Sequence, residues 1–327
     1  MPRSKHFAQF RKALPDVTGR VFVITGTTSG TGFVAARTVA ELGGEAVLLN
    51  RSSERVDEMS RALKAAVPDG RFVNIECDLQ DFGSVRRAAG EIGKRYEAIY
   101  CLANNAGIMA TPDEATVDGY DTQMQTNHLS HFLLVAELLP LLEAAATAIG
   151  DARIVNHSSF GRLHTPNDRL EERYFGSNGG DLGGNELGLM KGGCFYRYFQ
   201  TKLANTVFTL GLAEKLEAKH SKVRAICAHP GSSDTRLLDQ MELGFLMRSV
   251  TRIMAPFMMQ SAEDGAMGLL TGMMAPEASS GVLYGPANDG TRGLAVPVPP
   301  RSFETDRESI DMLWRTSEQA TGSRLLT

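Results

Sequence analysis

The chain is poor in cysteine and poorer still in tryptophan, with four and one among its 327 residues. Cys77, Cys101, Cys194 and Cys227 form no Cys-x-x-Cys pair. That excludes paired-cysteine chemistry, and three of them sit in apolar strand-like runs, as reduced core residues of an intracellular protein do. No apolar run approaches the ~18 consecutive residues that a membrane span requires. The first 19 residues carry Arg3, Lys5, Arg11 and Lys12 but no apolar h-region, so a secretory signal is not expected. The expected compartment is the cytoplasm, or an organelle after removal of a targeting segment. Neither charge sign dominates: 34 Lys and Arg stand against 38 Asp and Glu, a formal charge of −4. Without a broad phosphate-binding surface, no nucleic-acid partner is expected.

What the sequence does hold is a strand, a tight turn and a helix between Val21 and Ala40. Val21 to Ile24 is a bulky run of the kind buried on both faces of a parallel sheet. Gly26, Gly30 and Gly32 then punctuate the turn. Glycine allows positive φ and close approach of backbone to ligand, so main-chain N–H groups can wrap a phosphate at the positive end of the following helix. Gly30, Gly32 and Ala35 also satisfy the dinucleotide pattern; an ordinary βα turn is the bland reading of the same residues.

From Arg20 to about Ala228, apolar runs alternate with helical stretches, as in a doubly wound parallel sheet. Strands are expected at 21–25, 46–49, 72–77, 99–103, 153–156 and 223–228, with a late one at 282–284. Helices are expected at 34–42, 54–66, 84–95, 128–146 and 198–218. The expected fold is a Rossmann-like α/β domain of about seven strands over residues 20–327, helices on both faces, preceded by an extension at 1–19. Two segments break the rhythm. Residues near 165–195 are glycine-rich and polar, and a loop of that length is functional or mobile. Residues near 237–260 are rich in Met and Phe. They read as an apolar lid over a hydrophobic substrate, as a subunit or core contact, or as a membrane-surface patch carrying Arg248 and Arg252. Ser261 to Asp264 looks like a variant capping box at the start of a helix.

Tyr198 and Lys202 are four residues apart, on one face of a helix, while Phe199, Leu203, Val207 and Leu210 cluster on another and would pack against the sheet. A phenol titrates near 10, so proton transfer near neutral pH asks for roughly 4 kcal/mol of help. A neighbouring ammonium and an oxidised nicotinamide both act in that direction.

With these residues in place, the chain resembles the short-chain dehydrogenase/reductase family. The resemblance rests on Thr25-Gly-x-x-x-Gly30-x-Gly32, Asn104-Asn-Ala-Gly107, Ser158-Ser159, Tyr198-x-x-x-Lys202 and Pro230-Gly231, in family order over residues 20–235. Thr126-Asn-His-Leu-Ser-His131 and Leu313-Trp314 are similar to the branch containing retinol dehydrogenases and protochlorophyllide reductases.

The resemblance implies roles. Tyr198 would be the general acid or base, and Lys202 would lower its pKa and hold the nicotinamide ribose. Ser159 would polarise the substrate carbonyl, with Ser158 the alternative, and Asn127 would hold a relay water. Gly26, Ser29, Gly30, Thr31, Gly32, Asp78, Leu79, Asn104, Ala106, Gly107, Pro230 and Gly231 would line the dinucleotide. Asp78 would take the adenine amino group and Asn104 would close over the adenosine, although Asp78 and Asp81 also read as helix caps. Asn50-Arg51 stands where an NAD enzyme would place a carboxylate against the ribose 2′-hydroxyl, so NADP(H) is expected.

The implied activity is hydride transfer to or from a carbonyl or alcohol on a sizeable apolar substrate. A pigment-type double-bond reductase and a non-catalytic NADP-binding scaffold or redox sensor are the alternatives. A homo-oligomer and a peripheral membrane contact stay open as partners. The family's compact members place serine and tyrosine much closer than the 39 positions between Ser159 and Tyr198, so the inserted loop must fold back. His128 and His131 lack acidic or cysteine partners in sequence, and no metal site is expected.

Overall fold

The run Val21–Thr25 is β1, and β-branched and aromatic bulk there is what a strand covered on both faces requires. The computed structural model describes residues 3–185, 192–232 and 260–326. Among these, β2 (Glu45–Asn50), β3 (Arg71–Glu76), β4 (Cys101–Asn104), β5 (Ala152–His157), β6 (Val223–Ala228), β7 (Leu283–Asn288) and β8 (Arg292–Val298) complete one sheet. Its order is β3-β2-β1-β4-β5-β6-β7-β8, parallel from β3 through β7, with β8 antiparallel at the edge.

Eight strands replace the seven expected. The added one follows β7 through a tight hairpin, and its Gly293 and Pro297 hide the alternation that would mark it. Proline is tolerated there because the outer side of an edge strand needs no N–H donor.

The helices are α1 (Phe7–Ala13), α2 (Gly30–Glu41), α3 (Glu54–Ala66), α4 (Phe82–Arg95), α5 (Thr122–Ile149), α6 (Gly193–Ala218), α7 (Ala262–Met274) and α8 (Arg307–Thr321). Successive strand residues serve opposite layers. Val23, Val47, Leu102, Ile154 and Ala225 pack with α4, α5, α6 and α8, while Phe22, Ile24, Leu48, Ala103 and Val155 pack with α1, α2 and α7. Helix α5 is long and apolar enough to cross a membrane by length and composition. In the fold it is a layer on the sheet, and its Phe132, Leu133, Leu138 and Leu142 are core.

Three expectations change. The N-terminal extension is docked: Phe7, Leu14 and Val17 are buried beside α7. Ser261 does cap α7 by accepting from the Asp264 amide at 3.0 Å, but Asp264 does not return the bond. Its carboxylate accepts from the Ser4 hydroxyl and the backbone amides of Lys5, His6 and Phe7 at 2.8–3.1 Å. The insertion is partly core as well. Pro166–Asp168 and Glu172–Phe175 are 3₁₀ turns, and Leu170, Tyr174 and Phe175 join the α5/α6/α8 cluster. The Met/Phe segment at 237–260 lies, but for Gln260, outside the described residues.

Candidate active site

The floor of the site is the β1–α2 turn. Gly26 has φ +70°, and a Cβ there would sit 2.7 Å from the Ala106 Cα, so only glycine fits between β1 and the 104–107 loop. The Thr25 hydroxyl accepts from the amides of Asn105 and Ala106 at 3.0 and 2.9 Å. Asn105 answers by donating Nδ2 to the carbonyls of Thr25 and Gly26, and its Oδ1 accepts from the Thr31 hydroxyl at 2.8 Å. Ser29 precedes α2 in an extended conformation and makes no side-chain cap bond. The first amides of a twelve-residue helix, opening at Gly30, Thr31 and Gly32, are thus left for an external anion.

The ceiling is α6. Tyr198 and Lys202 are both buried, and the Lys202 Nζ lies 5.7 Å from the Tyr198 ring centroid. The Ser159 hydroxyl hydrogen-bonds the Tyr198 phenol. The chain does fold back over the 39 intervening positions: the 3₁₀ turn Phe160–His164 packs on α6, where Gly161 faces Tyr198 and Phe199. Ser158, the alternative, is spent elsewhere, donating to the Lys202 carbonyl at 2.8 Å and accepting from Thr206 at 2.9 Å. Phe199 was expected on the sheet face with Leu203 and Val207. It instead joins Phe195, Cys194, Ala110 and Tyr198 in a small cluster beside the phenol, because α6 is buried all round.

Burial dominates the electrostatics of the pair. It pushes the Tyr198 phenol up to about 12, against the Ser159 hydrogen bond that lowers it, and pulls the Lys202 ammonium down to about 8. The chain alone does not bring the phenol toward neutrality. A bound cation is the missing influence of the right sign, and an oxidised nicotinamide is one.

Asn127 sits in a π-helical turn, Gln125–Leu129, within α5. Its Oδ1 accepts from the Ile108 amide at 2.8 Å, and its Nδ2 donates to the Ile108 carbonyl and the Thr201 hydroxyl at 2.9 Å. The side chain therefore ties the 104–108 loop to α5 and α6. Gly107 is brought beside both, since a Cβ there would lie 3.2 Å from Asn127 Oδ1 and from Lys202 Nζ.

At the other end, Asn50 is locked to the turn through Thr27, accepting at 2.9 Å and donating at 2.7 Å. Arg51 is exposed and has no partner among the described residues. It borders a cavity of about 370 Å³ with Ser52, Ser53, Glu54, Asp57 and Glu76. Ser53, at the start of α3, also makes no side-chain cap bond. Asp78 accepts from the Gln80 amide at 2.9 Å, next to buried Leu79, while Asp81 is the cap of α4. Asn104 departs from its expected place over the adenosine. Its side chain is buried and donates to Asn156 at 2.8 Å, bridging β4 and β5 inside the sheet. Pro230 and Gly231 follow β6, and the Pro230 carbonyl accepts from Gln260 at 2.7 Å.

Several structural partners were missed. Asn105, next to the residue chosen, makes the contacts that close the turn. His131 links Thr25 (Nε2, 3.0 Å) to the Asn127 carbonyl (Nδ1, 3.0 Å), so both nitrogens are committed. His128 bonds Ser317 at 3.0 Å. Arg197, beside Tyr198, pairs with Asp121 at 3.1 Å with both side chains 1% exposed, and also donates to the carbonyls of Thr111 and Gly183. Only Asn105 carried a sequence signal, its place in the Asn-Asn-Ala-Gly run.

The geometry suits a nucleotide lying from Arg51 to Lys202 along the strand ends. The glycine turn, the uncapped α2 and the apposition of Gly107 to Lys202 all fit one. Comparisons agree. The family model for short chain dehydrogenases matches residues 20–167. A polyprenol dehydrogenase of Mus musculus is 30% identical over 95% of this chain and 86% of its own length. The Homo sapiens retinol dehydrogenase 12 is 29% identical over 94% and 87%. A crystal structure of an uncharacterized protein from Mycobacterium paratuberculosis superposes with a TM-score of 0.73, at 30% identity over 96% of this chain and 97% of that one.

Proposed function

The chain belongs to the short-chain dehydrogenase/reductase family, in its retinol dehydrogenase-like branch, and from that premise we propose an NADP(H)-dependent enzyme acting on a carbonyl or alcohol of a sizeable apolar molecule. The observation that carries this reading is the bond between Ser159 and Tyr198, with Lys202 beside the phenol and Gly107 beside Lys202.

When bound, a nicotinamide dinucleotide supplies or accepts the hydride. The chain's residues do the rest. In reduction, Ser159 donates a hydrogen bond to the substrate oxygen and favours the charge that develops there. Tyr198 then gives its phenolic proton to that oxygen, completing the alcohol; in oxidation it takes the proton back. Lys202 makes the transient phenolate less costly and holds the ribose hydroxyls. Asn127 keeps the loop carrying Gly107 in register with Lys202.

Arg51 supports the 2′-phosphate assignment: it is unpaired, next to Ser52 and Ser53, at the start of α3. Phe195, Phe199 and Ala110 support an apolar substrate by lining the space beside Tyr198, and relatives are named for polyprenol and retinol.

The test is turnover of NADPH and NADH against aldehydes, ketones and retinoid-like carbonyls. Wild type should reduce members of the panel with NADPH preferred, Tyr198→Phe should lose at least a hundredfold in kcat, and Arg51→Ala should weaken NADPH more than NADH. Cofactor binding without turnover on any substrate would overturn the enzymatic reading in favour of a scaffold. A preference for NADH would remove the 2′-phosphate assignment alone.

A further inference from the structure

His157, the last residue of β5, stands between the two halves of the site. Its carbonyl accepts from Lys202 Nζ and from Asn205, each at 3.1 Å. Its side chain points to the opposite layer and is 6% exposed. There Nδ1 lies 3.0 Å from Asn105 Oδ1.

The tautomer follows from the surrounding bonds. Asn105 Nδ2 is held by two backbone carbonyls, of Thr25 and Gly26, so the atom facing His157 is the oxygen. An oxygen only accepts, hence His157 Nδ1 carries the proton and Nε2 presents a lone pair. That Nε2 is buried and has no hydrogen-bond partner. Protonating it is unfavourable, because burial and the nearby Lys202 hold the ring neutral, down to about 3. A valine would fill a β5 position of this kind with no unmet polar atom, and leaving an acceptor unmet costs free energy. A buried, oriented, neutral acceptor at this point wants a neutral N–H or O–H donor.

Resting on the dinucleotide reading above, we propose that His157 is a cofactor-orienting residue whose Nε2 accepts a hydrogen bond from the carboxamide N–H of the nicotinamide. The dinucleotide offers few donors. The adenine amino group belongs to the Asp78 end of the site, and the nicotinamide ribose hydroxyls fall to Tyr198 and Lys202. The carboxamide is the remaining donor in the half that must meet Tyr198. Asn105 gives the arrangement rigidity: the residue that closes the glycine turn also fixes the imidazole tautomer, so the floor and the ring-orienting acceptor are one hydrogen-bonded unit.

The probe is the 3-acetylpyridine analogue of whichever dinucleotide, NADP⁺ or NAD⁺, binds more tightly; its methyl ketone keeps the carbonyl and lacks the N–H. Dissociation constants are read by titration calorimetry, independently of turnover. Wild type should bind the parent about five- to tenfold more tightly than the analogue, the scale of one neutral hydrogen bond. His157→Val should bring that ratio close to one, and His157→Gln, which keeps an acceptor, should retain part of it. On ¹⁵N-labelled wild type, which sidesteps any folding defect of the variants, the unprotonated Nε2 resonance should shift on adding the parent and much less on adding the analogue. An unchanged ratio in His157→Val, or an imidazolium signature on binding, would overturn the inference while leaving the enzyme reading intact. Failure of wild type to bind either dinucleotide would overturn both.

Discussion

Lys202 illustrates how a residue suited to chemistry weakens the fold that holds it. Its ammonium is buried and pulled down to about 8. Because the folded value lies below that of a free lysine, the unfolded chain binds the extra proton between about pH 8 and 10.5, so the penalty is full below pH 8 and is relieved as pH rises through that window. Lys202→Met should therefore raise the stability of the cofactor-free protein at pH 7 by about 2–3 kcal/mol. The gain in Tm should shrink toward pH 10, with turnover lost; a Tm lower than wild type at pH 7 would contradict this. At this scale the sequence was readable where spacing equals periodicity: Tyr198 and Lys202 share a face because four residues make a helical turn. Asn104 and Asn105 could not be told apart, since which of two adjacent amides enters the sheet depends on the register of β4 against β5.

Among the elements, the insertion between β5 and α6 shows what pattern reading leaves out. It is held to α6 by Arg197, which reaches Thr111 and Gly183 while paired with Asp121, and by Asp113, whose carboxylate accepts from the Gly180 amide at 2.9 Å. Burial pushes the Asp121 carboxyl up to about 6 even beside that guanidinium. Removing one member of such a pair strands the other charge, so Asp121→Asn should cost about 3–5 kcal/mol in urea unfolding, and Asp121→Asn with Arg197→Met should recover much of it. If the double variant were no better than the single, the pair would not be the anchor. None of this was legible, because the partners are far apart in sequence and meet only through tertiary closure. The α/β alternation was legible, because buried parallel strands write themselves as apolar runs. Strand β8 and helix α1 were not, as edge strands and short docked helices carry little periodic signal.

Across the whole molecule, the dominant titration is of imidazoles kept neutral. Burial lowers His128, His157 and His229 to about 3 and His131 to about 4. An unfolded histidine takes its proton near 6.5, so stability is complete above that pH and is lost as pH falls toward the folded values. Four such groups amount to about 5 kcal/mol per pH unit, offset in part by Asp121, which titrates in the opposite sense. Tm should be nearly flat above pH 7 and fall steeply between about pH 6 and 4; a flat profile to pH 4.5 would show that these rings are not held neutral. The Asp264 carboxylate carries one last implication, for biosynthesis. The acceptor for Ser4 lies 260 residues further along the chain. On the ribosome, the opening helix emerges first and finds its berth among the last, after nearly every strand has been translated.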